Sequence, residues 1–136
     1  MELRTKIRDR IKMRDGEKIM LGGEWGKVWV HVRVMGGAYN DDLAKRRRDL
    51  FQEFGGEEVP TDRDGQAQVE ALLARVLVDA GSDDPTDTFD GRPVTLEVLS
   101  EIMREPGATS LVNAVIVAAS KVGLHREKAK KEAVGN

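Results

Sequence analysis

The hydrophobic period changes once along this chain, at Gly36-Gly37, and that change demands a mixed fold. Before it, Val28, Val30, Val32 and Val34 alternate with Trp29, His31 and Arg33. Side chains two apart share one face of a strand, so residues 27–35 predict a strand with a buried valine face and a more polar one. After it, apolar residues recur three and four apart. Leu43, Leu50, Phe51 and Phe54 form one such stripe; Val69, Leu72, Leu73, Val76 and Leu77 form the next. That spacing belongs to helices. The expected class is α+β, with a small N-terminal antiparallel sheet followed by a bundle of about four helices.

Turn residues set the expected boundaries. Residues 10–14 and 17–21 both alternate, and Asp15-Gly16 between them suits a type I′ hairpin. With residues 27–35 this gives three strands, which need a helix packed on their apolar side. Helices are predicted over residues 41–54, 62–78, 95–104 and 109–130. Asn40 or Asp41 would cap the first, and Gly55-Gly56 would end it. Thr61 with Asp64 resembles a capping pair for the second. Residues 79–94, rich in Asp, Gly, Thr and Pro, read as an exposed loop. Thr95 caps the third helix and Pro106-Gly107 ends it. Leu111, Val112, Val115, Ile116, Ala118, Ala119 and Val122 make the last helix apolar on more than one side, as a core or an interface helix would be. The reading is one domain over residues 1–124 and a flexible, charged tail over residues 125–136.

Charge is distributed unevenly. Residues 1–48 carry 13 Lys/Arg against 7 Asp/Glu, residues 49–120 carry 4 against 15, and residues 121–136 carry 5 against 2. A basic head, an acidic middle and a basic tail can pair within one molecule or between copies, giving a weak homo-oligomer, or can simply be solvated faces. There is no Cys, which excludes a disulfide framework and fits a reducing cytoplasm. No apolar run approaches the roughly 20 residues of a membrane span, so no membrane partner is expected.

Catalytic chemistry has little support, and no enzyme activity is expected. Ser82, Ser100, Ser110 and Ser120 lie outside any Gly-x-Ser-x-Gly elbow. His31 and His125 each lack a second ligand at metal-binding spacing, and a lone His beside Trp29 reads as a surface strand residue. The Asp-rich stretch from Asp79 to Asp90 does not meet the spacing of a calcium loop. No cofactor motif is present. Lys45-Arg46-Arg47-Arg48 is the best nucleic-acid candidate, but Asp41, Asp42, Asp49 and Glu53 flank it at ion-pairing distance along a helix. A solvated or protein-facing helix is the expectation, with no nucleic-acid partner.

The strand-to-helix junction Val28-Trp29-Val30-His31-Val32-Arg33-Val34-Met35-Gly36-Gly37-Ala38-Tyr39-Asn40-Asp41-Asp42-Leu43 resembles that of siphophage tail assembly chaperones, in which a V-x-V-R strand leads through a short turn into a helix. Val76-Leu77-Val78-Asp79-Ala80-Gly81 is similar to a motif in which a helix ends at an aliphatic pair followed by Asp, an aromatic and Gly. Asp90-Gly91-Arg92-Pro93-Val94 resembles the segment that follows it, and residues 95–103 and 108–120 resemble the two closing helices. The likeness spans about residues 28–122. It departs at Ala80, where an aromatic is expected, and at Lys121-Val122-Gly123, where an acidic, aromatic-tipped end is expected.

This resemblance implies a non-enzymatic protein in the cytoplasm of the infected bacterium. Copies would bind the tape measure protein, keep it soluble and give way as tail tube subunits polymerise, leaving none in the mature virion. A longer product of ribosomal frameshifting would recruit the tail tube protein. Ala129-Lys130-Lys131 can be encoded by a slippery heptamer, in keeping with that. Candidate partner-binding residues are Lys45, Arg46 and Arg48 on the first helix and Met103, Leu111, Val115 and Ile116 on the last two; the alternative for the last four is plain core. The competing function is a structural head–tail connector or tail terminator subunit of a phage virion.

Overall fold

A computed structural model describes residues 16–134 and has the predicted α+β architecture. The main sheet contains β1 (Glu17–Met20), β2 (Val28–Val32) and β3 (Leu77–Ser82), in that spatial order and antiparallel throughout. The helices are α1 (Gly37–Glu53), α2 (Thr61–Arg75), α3 (Leu96–Met103) and α4 (Thr109–Val134). A two-stranded ribbon, β4 (Thr88–Phe89) with β5 (Arg92–Pro93), precedes α3. The predicted strand over residues 10–14, and Asp15 of its turn, lie outside the described residues.

β2 is the central strand because it alone combines β-branched residues with strict alternation. Val28, Val30 and Val32 point into the core and are buried. The third strand departs from the prediction. Residues 77 and 78 were expected to be helical and residues 79–82 to be loop, but α2 stops at Arg75 and the chain pairs with β2. Val76 and Leu77 fit either period. What decides between them is the free edge of β2, whose backbone groups need partners. Leu77 pairs with Val32 and Asp79 with His31, leaving Val78 as the extra residue of a bulge. The Asp90-Gly91 turn, also expected within a loop, closes the ribbon. Both residues have positive φ, at 51° and 78°, as a type I′ hairpin turn requires.

The helices start where local chemistry allows. α1 begins earlier than predicted, after Gly36, with no side-chain cap, and α2 follows Pro60, so neither expected side-chain cap forms. Thr95 does cap α3: its Oγ1 accepts from the Val98 N–H at 3.2 Å. α1 and α2 run antiparallel, fastened near both ends: Asp42 meets Arg75 at one end, and Glu53 meets Arg63 at the other. Phe51, expected in the α1 stripe, is exposed instead, while Tyr39, Leu43 and Leu50 are buried. α4 crosses the valine face of β2 and supplies Leu111, Val115, Ala118, Ala119 and Val122 to the core. It is the core helix the sequence predicted, and it continues to Val134 through the stretch read as a tail.

Candidate partner-binding site

Two concave surfaces flank α4, one at each end. The first lies along its C-terminal half. Val34 and Met35, which leave β2 for α1, form one wall; Ala119, Gly123 and Leu124 on α4 form the floor and the other wall. The two sides meet closely: a Cβ on Gly123 would sit 3.2 Å from Val34 Cγ2. This glycine lets the strand exit pass beside the helix, and the groove is mostly apolar. Next to it the exposed face of α4 carries Val117 at 55% exposure and Leu124 at 65%, seven residues apart and so on one stripe.

The second surface is a cleft of about 840 Å³ between the N-terminal half of α2 and the Pro106-Gly107 link that feeds α4. Its floor is Val69, Met103 and Val112, all buried. Its rim is acidic, with Asp62, Glu70 and Glu105. Arg104 crosses the rim, its Nε donating to Glu70 at 2.7 Å, which raises the guanidinium's pKa further above its ordinary value.

The predicted binding residues divide sharply. Met103, Leu111 and Val115 are 2%, 1% and 0% exposed. Leu111 and Val115 are core and offer no surface to a partner while the fold is intact; Met103 is also core and meets the surface only at the floor of the cleft. Ile116 is half-buried against the core. On α1, Arg46 is held by Asp42 one turn earlier. Lys45 and Arg48 are exposed and form no ion pair among the described residues. Arg47, the fourth residue of that basic run, is bound in a fork by Asp64 of α2 at 2.9 and 3.2 Å. The run therefore serves partly to join two helices.

Sequence reasoning missed Val117 and Leu124. Their signal was present: an apolar stripe too wide for a helix that buries only one side. His31 is also a correction. It was read as a surface residue, yet it is 5% exposed, on a rung between Lys18 of β1 and Asp79 of β3. Burial holds its imidazole below the ordinary pKa; the nearby Asp79 charge opposes this and Arg33 adds to it. Among the described residues no cluster of three or more metal-ligating side chains forms, and no helix is long and apolar enough to cross a membrane. In comparisons with known proteins, no protein-family model, curated protein or solved structure matches this chain.

Proposed function

We propose that this protein is a phage tail assembly chaperone. It binds the tape measure protein in the cytoplasm of the infected bacterium and is displaced as tail tube subunits assemble, so that none remains in the virion. The observation that carries this reading joins sequence to geometry. Val34 and Met35, part of the strand-to-helix junction that resembles these chaperones, wall the apolar groove along α4. A tape measure protein exposes long apolar helical stretches, which aggregate unless covered. A groove with a flexible Met wall and a glycine floor accepts an apolar helix without demanding one sequence. The tail tube protein would be met through a longer frameshifted product whose extra domain follows the end of α4.

The test is co-expression with a tape measure protein from the same genome. The expected result is that the tape measure protein stays in solution and co-purifies. Met35→Glu, which places a charge in the groove wall, should abolish capture while leaving the circular dichroism spectrum unchanged. A tape measure protein that precipitates equally with and without this chain overturns the reading.

A further inference from the structure

We propose that the C-terminal part of α4 docks into the acidic cleft of a second copy of this chain. The two surfaces are complementary in charge. Residues 121–134 carry five Lys/Arg against two Asp/Glu. The cleft carries Asp62, Glu70 and Glu105 against Arg104 alone. Asp62 and Glu105 form no ion pair among the described residues, and neither do Lys121, Lys128 and Lys131.

They are also complementary in pattern. Val117, Lys121, Leu124, Lys128 and Lys131 recur at helical spacing along one stripe of α4, and all five are exposed. An apolar and basic stripe faces outward on one side; an acidic rim over an apolar floor of Val69, Met103 and Val112 waits on the other.

One copy cannot satisfy both surfaces by itself. Thr109 and Val112, in the first turn of α4, line the cleft, and Lys128 lies on the same helix. At 1.5 Å per residue, Thr109 and Lys128 are roughly 28 Å apart along the axis. A continuous helix cannot bring its end back to its beginning, so the contact must be between molecules. Two copies can make the contact reciprocally about a two-fold axis, with their α4 helices antiparallel, or one way only, which leaves a cleft open to the next copy.

Sedimentation velocity on the full chain, at rising protein concentration and at low and high salt, tests this. The expected result is concentration-dependent association at low salt, to a dimer or larger, reversed at high salt. A triple variant, Lys121→Glu with Lys128→Glu and Lys131→Glu, should sediment as a monomer. A double variant, Asp62→Lys with Glu105→Lys, should do the same. Mixed in equal amounts, the two should associate again, because each supplies the charge the other's reversed surface needs. These positions are exposed, and recovery in the mixture proves both variants folded. A parent chain that stays monomeric at low salt overturns the proposal. So does a triple variant that associates like the parent, or a mixture that stays monomeric.

Discussion

The indole of Trp29 lies across the backbone of Gly81 so closely that a Cβ at that glycine would stand 2.6 Å from Trp29 Cζ2. The two residues are direct partners in the β2–β3 register. Lys18 also lies over the ring, its Nζ 4.7 Å from the ring centroid and 3.1 Å from Asp83. The ring thus touches both a strand backbone and an ion-paired cation. Gly81→Ala should destabilise the protein by about 1–3 kcal/mol through overpacking. Chemical denaturation followed by tryptophan fluorescence measures it. Equal stability would mean the ring swings aside freely.

Asp42 joins α1 to the end of α2. It accepts from Arg46 on its own helix and from Arg75 at 2.9 Å, and its side chain is only 10% exposed. Those two hydrogen bonds hold its carboxyl below the usual value of 3.8. The folded value lies below the unfolded one, so the stabilisation is complete above pH 3.8 and is lost as pH falls through the folded value. Asp42→Asn should cost about 1–2 kcal/mol at neutral pH. The gap between mutant and parent should close in acid. Melting curves across pH check this; a gap that persists at low pH would mean the loss is steric.

His31 should give stability a second, milder pH dependence. Its Nε2 is buried with no hydrogen-bond partner among the described residues, and burial lowers its pKa from the ordinary 6.5. The unfolded chain therefore binds a proton before the folded one does. Stability is complete above pH 6.5 and falls as pH drops from there through the folded value. His31→Leu removes both the titration and the unmatched nitrogen. It should flatten the curve below pH 6.5 and be neutral or stabilising at neutral pH. A mutant with the same slope as the parent assigns the dependence to another group.

What was legible in the sequence follows from what was local. β2 declared itself because four valines alternate within seven residues, and α3 because Thr95 stands directly before its apolar run. β3 did not, since Val76 and Leu77 continue the helical spacing of Leu72 and Leu73 equally well. Only pairing with a strand more than forty residues earlier makes the chain extended from Leu77 onward. His31 alternates onto the polar side of β2, and its burial arises from neighbours that the alternation cannot name. The acidic cleft has no local signature at all. It exists because the start of α2 meets the Pro106-Gly107 link about forty residues later. The α4 stripe lay between these cases: its excess of apolar residues was plain, but the side the core would leave uncovered was not.

That ambiguity in α4 separates two valines two positions apart. Val115 is fully buried against the sheet and the other helices, whereas Val117 is 55% exposed beside the groove. Val115→Asp would place a carboxylate in an aliphatic core with no partner, at a loss of more than about 4 kcal/mol, enough to unfold many domains of this size. Val117→Asp stays in water and should change the melting temperature little, within about 0.5 kcal/mol. It does, however, put an acid on the stripe that carries Lys121 and Leu124, so it should weaken association between copies while the fold remains intact. Thermal melts and sedimentation on both variants distinguish the roles. If Val117→Asp melts early, that side of α4 is packed and the outward stripe is not a docking surface; if Val115→Asp melts like the parent, α4 does not occupy the core.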